Sequence, residues 1–200
     1  SLGNPARVVN EDATNTGRLV FGDASGAGIA LSDGDSTNFD GGKLSVTIDR
    51  GRTFSAGLGG DVLYLATDSD FDLVRDASTN ALLAVRYRGT TIGTVAVSGG
   101  APLDGLGGRD LVLNLTVAAT VDVTRQLVNH IGFAIRTANG GLTEDWGPFA
   151  GDRQVTVRVD DGTGGISAPF SRALRRSEEH TSEPPVTSLS RMPSSAFKKK

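Results

Sequence analysis

The 200-residue chain contains no cysteine, one tryptophan (Trp146), one methionine (Met192), two histidines and four lysines. Without cysteine there can be no disulfide staple, thiolate zinc site or thiol nucleophile. No apolar run approaches the roughly 18 residues of a membrane-spanning helix, so membrane insertion is not expected. There is no Gly-x-Ser-x-Gly elbow, no His-Glu-x-x-His pair and no phosphate-binding loop, and the expectation is a protein that is not an enzyme. Glutamate is scarce over residues 1–175, where 18 Asp stand beside only Glu11 and Glu144. Aspartate disfavours helix interiors, favours turns and supplies hard oxygen ligands. The same stretch holds 14 Arg and one Lys, Lys43, with no basic patch interleaved with aromatics. Nucleic acid is therefore not an expected partner.

Glycine is plentiful, with 27 residues, and it punctuates short apolar alternations. Leu44, Val46 and Ile48 alternate with Ser45, Thr47 and Asp49, which is the two-residue period of a strand with one buried face. Similar patterns mark strands over 18–21, 28–31, 43–49, 62–66, 82–88, 91–98, 111–117, 132–137 and 154–160. One segment departs from this period. Val123, Leu127 and Ile131 are spaced by four, with Val128 beside them, which predicts a short helix over about 120–131 capped by Thr120 or Asp122. The pattern is all-β with one helical crossover and fits a two-sheet sandwich. Roughly twenty inward apolar side chains, each worth about 1.5–3 kcal/mol when buried, make a core that needs no staples. No internal repeat of about 20–30 residues supports a solenoid.

The composition changes after Arg175. Residues 176–200 hold three of the four lysines, the only methionine and three of the seven prolines. Residues 176–183 resemble the conceptual translation of a common sequencing-library adapter. Residues 190–196 resemble that adapter's far end, and Lys198, Lys199 and Lys200 would be a translated A-run; Pro184 and Pro185 depart from the pattern. The expected organisation is a lead-in over 1–7, one sandwich module over 8–167, a truncated linker over 168–175 and a non-native tail over 176–200 that forms no packed structure. Residues 1–5 have neither the basic nor the apolar region of a secretory leader. For a chain expected to be a fragment, that says nothing about compartment.

The order of motifs carries a resemblance. Asn10-Glu11-Asp12 comes first. Asp33-Gly34-Asp35-Ser36-Thr37-Asn38-Phe39-Asp40-Gly41-Gly42-Lys43-Leu44 leads into the clearest strand. Gly89-Thr90-Thr91-Ile92-Gly93 and Leu113-Asn114-Leu115 follow, then the helical turn ending in His130-Ile131. Val155-Thr156-Val157-Arg158-Val159-Asp160-Asp161-Gly162 comes last. Over roughly 8–167 this order resembles the cadherin-like, immunoglobulin-type repeats of large bacterial secreted and surface proteins. The resemblance implies a noncatalytic spacer or adhesive module, extracellular or on the cell surface. Its partners would be neighbouring tandem modules and, in addition, a surface glycan or protein. Two stretches depart from the pattern: the acidic run from Asp68 to Asp76, and the long 139–152 loop with Trp146.

Calcium requires six to eight oxygens converging from different segments. The candidate ligands are Glu11, Asp33, Asp35 and Asp161, with Asn38 and Asp160 in reserve. The resemblance implies that Glu11 and Asp161 lie near module ends, where a neighbour would complete a site. The competing reading is that these aspartates cap turns. Asp68, Asp70 and Asp72 open like a helix-loop-helix calcium loop, but Leu73 stands where glycine is needed and Thr79 where the bidentate glutamate is needed, so an exposed acidic loop is expected. The stretch from Gly105 to Val112 is one imperfect copy of a nonapeptide calcium repeat and reads as a turn. His130 reads as a boundary residue. Trp146 is either a sugar-stacking residue of a carbohydrate-binding module or an aromatic sealing the sandwich edge. An accessory domain of a secreted hydrolase is a further alternative.

Overall fold

The computed structural model describes residues 7–10, 18–22, 29, 31, 37–49, 60–136, 142–143 and 153–177. In chain order its elements are β1 (Arg7–Asn10), β2 (Arg18–Leu19), β3 (Lys43–Asp49), β4 (Gly60–Leu65), β5 (Phe71–Arg75), β6 (Leu82–Tyr87), β7 (Thr90–Val95), β8 (Val97–Ser98), β9 (Ala101–Pro102), β10 (Leu111–Leu115), α1 (Val121–Asn129), β11 (Ile131–Arg136), β12 (Leu142–Thr143), β13 (Arg153–Asp160) and β14 (Phe170–Ser177). The all-β expectation holds. The strands form an eight-stranded sheet in the order β1-β14-β13-β3-β10-β7-β6-β5, a smaller sheet in which β11 pairs with β4 on one side and with β2 and β12 on the other, and a separate β8–β9 hairpin. All neighbours in the large sheet are antiparallel except β1 and β14.

Alternation in the sequence becomes the two faces of the large sheet. Leu44, Val46 and Ile48 from β3, Leu111, Leu113 and Leu115 from β10, and Val155, Val157 and Val159 from β13 are all buried. They share one core with Leu63 and Leu65 of β4 and Ile131, Phe133 and Ile135 of β11, so the two sheets pack face to face. Val123, Leu127 and Val128 of α1 join that core as the chain crosses from β10 in one sheet to β11 in the other. Gly132 is opposite Tyr64 in the small sheet, and a Cβ there would lie 2.2 Å from the phenol ring. The missing side chain lets the ring lie across the strand, as aromatic residues do over cross-strand glycines.

Two expectations are corrected. Residues 71–75 lie in the stretch expected to be an exposed acidic loop, yet they form β5, the last strand of the large sheet. Phe71 is the cause: it is fully buried, with its ring centroid 5.0 Å from that of Tyr87 and 4.5 Å from that of His130. Much of the expected linker is also structured. Residues 170–177 form β14, which pairs with both β13 and β1 and buries Leu174. The sandwich unit therefore extends past 167 to Ser177, and Arg176 and Ser177, expected in an unpacked tail, pair with Val9 and Asn10. Residues 178–200 lie outside the described residues. No helix among the described residues is long and apolar enough to cross a membrane.

Candidate functional site

The turn from Asn38 to Gly42 before β3 and the acidic end of β13 meet at one end of the sandwich. Asp40 and Gly41 make a turn in which the Gly42 amide bonds to the Phe39 carbonyl and the Leu115 amide bonds to the Gly42 carbonyl. The backbones of this turn and of the loop after β13 are in close contact. A Cβ on Gly42 would lie 2.0 Å from the Asp160 carbonyl oxygen, and one on Gly162 would lie 2.6 Å from the Asp40 carbonyl oxygen. Gly162 also has φ +78°, which disfavours any other residue. These glycines thus let two acidic loops touch through their main chains.

The carboxylates in these loops are occupied locally. Asp161 Oδ1 accepts from the Thr163 amide at 2.7 Å and the Gly165 amide at 2.9 Å. The Thr163 amide, helped by the Thr163 hydroxyl and the Gly165 and Gly164 amides, holds the Asp161 carboxyl below the usual aspartate range against the opposing effect of desolvation. Asp160 Oδ1 accepts from the Gly162 amide at 2.9 Å, and Asn38 Oδ1 from the Asp40 amide at 3.1 Å. All three are Asx-type turn caps. Of the proposed calcium ligands, Asp161 is the one described; Glu11, Asp33 and Asp35 lie outside the described residues. Among the described residues no group of three or more His, Asp or Glu side chains is arranged to hold a metal ion. Asn10, the residue before Glu11, pairs with Ser177, beyond the level where Leu174 meets Arg153. Asp161 follows the opposite end of β13. At about 3.3 Å per strand residue the two levels are on the order of 35 Å apart.

The run from Asp68 to Asp76 forms two caps and two arginine ion pairs, Asp70 with Arg88 and Asp72 with Arg86. Asp68 Oδ1 accepts from the Asp70 and Phe71 amides, both at 2.8 Å. Desolvation pushes the Asp68 carboxyl up, but the Phe71 amide, the His130 ring and the Asp70 amide together bring it below its ordinary value. Asp76 Oδ1 caps the next turn through the Ser78 and Thr79 amides. Asp70 takes the Arg88 guanidinium in a two-pronged bond, with both distances 3.0 Å. His130 spans two elements: Nδ1 is 2.9 Å from the Gln126 carbonyl oxygen and Nε2 is 2.9 Å from Asp68 Oδ2. The ring ties the end of α1 to the start of β5, consistent with a boundary residue.

The remaining candidates resolve simply. The stretch from Gly105 to Val112 turns into β10 and also bridges to β4, where the Leu63 amide bonds to the Gly105 carbonyl at 2.8 Å. Trp146 lies outside the described residues. Among the described residues one ion pair has both side chains buried, and the sequence reading does not anticipate it. Arg153 Nε donates to Asp61 Oδ2 at 2.9 Å, with both side chains buried. It joins β13 of the large sheet to β4 of the small one. The signal was present: Asp61 alternates with Leu63 and Leu65, and Arg153 alternates with Val155, Val157 and Val159, so both charges sit on inward-facing positions.

No family model, curated protein or solved structure matches the chain.

Proposed function

We propose that the chain is a noncatalytic structural and adhesive module of a large extracellular or cell-surface bacterial protein, one unit of a tandem series. The observation that carries this reading is the parallel pairing of β1 with β14. The first and the last described strands run the same way along one edge of the large sheet. Successive modules can therefore follow one another along a common axis without the chain doubling back. The continuous core supplies the rigidity a spacer needs. Two copies joined end to end are expected to scatter X-rays as an extended particle with close to double the maximum dimension of one copy. A compact, folded-back pair would refute the tandem reading.

Calcium stiffening at the module ends, through Glu11, Asp33, Asp35 and Asp161, belongs to the same proposal. Asp161 Oδ1 already accepts two amide hydrogen bonds, so its present geometry favours turn capping. Calcium binding predicts a higher thermal midpoint with millimolar calcium than with chelator, because a ligand that binds only the folded state stabilises it. An unchanged midpoint would remove calcium from the isolated module.

A further inference from the structure

The outward face of the large sheet has a charge pattern that turn chemistry and core packing leave unexplained. Across β3 and β13, Arg158 is opposite Ser45 and Thr156 is opposite Thr47. Their side chains point away from the core, since the alternating Leu44, Val46, Val157 and Val159 fill it. The four outward side chains line a depression of about 310 Å³, at the lower end of the size of small-ligand sites. Thr156 Oγ1 and Ser171 Oγ are 2.7 Å apart, which links the hydroxyl row to β14.

Arg158 is exposed, and among the described residues its side chain has no ion pair and no hydrogen bond. Lys43, one pair further along β3 and diagonal to Arg158, has none there either. Two acids on β3 and β13 flank the depression on the same face. Asp160, opposite Lys43, accepts the Gly162 amide, and Asp49, opposite Gln154, lies one pair beyond Thr47. Among the described residues no carboxylate is within ion-pair distance of either cation, which stands out in a chain with an excess of acids.

We infer that this depression binds an anionic sugar, with the Arg158 guanidinium on its carboxylate or sulfate and the hydroxyls of Ser45, Thr47 and Thr156 on its hydroxyl groups. The guanidinium fork matches an oxyanion in two-pronged geometry. Hydroxyls both donate and accept, as sugar hydroxyls require. Lys43 adds a second positive charge at the rim. The open face leaves room for a chain of sugars to continue beyond the bound unit. Among the described residues no aromatic lines the depression, so binding rests on charge and weakens as salt rises. The inference rests on the adhesive half of the function proposed above. Its test measures ligand binding, whereas the scattering and calcium experiments measure extension and stability, so each can fail without the other.

The test is a heteronuclear NMR titration of the isotope-labelled full chain with a galacturonate trisaccharide, a sulfated disaccharide, a neutral trisaccharide and sodium sulfate, all at low ionic strength. Saturable amide shifts centred on Ser45, Thr47, Thr156 and Arg158 are expected with one or both charged sugars. The charged arm that saturates identifies the group bound. Arg158→Gln is expected to weaken binding by about tenfold or more. Arg158→Lys should fall between it and the parent, because charge is kept and the fork is lost. Arg86→Gln, on β6, should bind like the parent. The inference is overturned if neither charged sugar saturates, if Arg158→Gln binds like the parent, or if the neutral sugar or sulfate ion alone binds equally well at these residues. The last outcome would mean an adventitious ion only.

Discussion

Aspartate is the residue this chain uses for local shape. Among the described residues, Asp68, Asp76, Asp122 and Asp161 all have carboxyls below the ordinary range. For Asp76 the Ser78 hydroxyl leads, followed by the Thr79 and Ser78 amides; for Asp122 the Arg125 guanidinium leads, followed by Gln126. Each holds its proton less readily when folded than when unfolded. Between the unfolded aspartate value of about 3.9 and these lower folded values, the unfolded chain binds more protons, so stability rises with pH in that window. Asp110 opposes them, because burial pushes its carboxyl up. The thermal midpoint is therefore expected to be level from neutrality to about pH 5 and to fall below about pH 4. Asp161→Asn should keep its turn, since an amide oxygen also accepts, and should shallow the fall. Calorimetry from pH 7 to 2 checks this, and a midpoint flat across the acid range would rule it out. The caps were legible in the sequence because they reach only two to four residues along the chain.

At the scale of elements, local chemistry decided most boundaries. The four-residue spacing over 120–131 became α1, and of the two proposed caps Thr120 is the one that acts, its Oγ1 accepting from the Val123 amide at 3.3 Å. Thr120→Ala is expected to cost about 1 kcal/mol and to lower the midpoint by about 2–4 °C. A loss too small to detect in urea unfolding would mean that packing alone holds the helix. The β6–β7 hairpin turns through Arg88 and Gly89, and the β8–β9 hairpin through Gly99 and Gly100, all with positive φ. That is the turn type whose twist suits paired strands. Arg88 is an unusual residue for it, and the Asp70 ion pair together with the Tyr87 ring, 5.0 Å from the guanidinium carbon, holds it there. β5 is hidden in the sequence because the run from Asp68 to Asp76 that contains it holds four acids against three apolar residues, while the burial that makes it a strand comes from Tyr87 and His130 elsewhere in the chain.

At the scale of the molecule, the Asp61–Arg153 pair is the feature whose loss should be felt most widely. It joins the two sheets inside the core, and removing one partner takes from the other, still buried, the opposite charge 2.9 Å away. Asp61→Asn and Arg153→Met are each expected to cost about 3–5 kcal/mol. The double variant Asp61→Leu with Arg153→Met should cost clearly less than the two singles summed, because two apolar side chains need no partner. Chemical denaturation of the three variants measures the coupling, and strictly additive losses would show that the pair does not act as a unit.

The sequence by itself determined the all-β class, the inward faces of β3, β10 and β13, the helix between β10 and β11, and the turn-forming role of aspartate. Each of these depends on periodicity or on partners a few residues away, so a single segment contains the information. Tertiary structure alone decided that Asp61 meets Arg153 across 92 residues, that β14 closes the sheet beside β1, and that Arg158, Thr156, Ser45 and Thr47 share one outward depression. Those contacts follow from strand order and register. They are set by which apolar faces can be buried together over the whole chain, and no single segment states that.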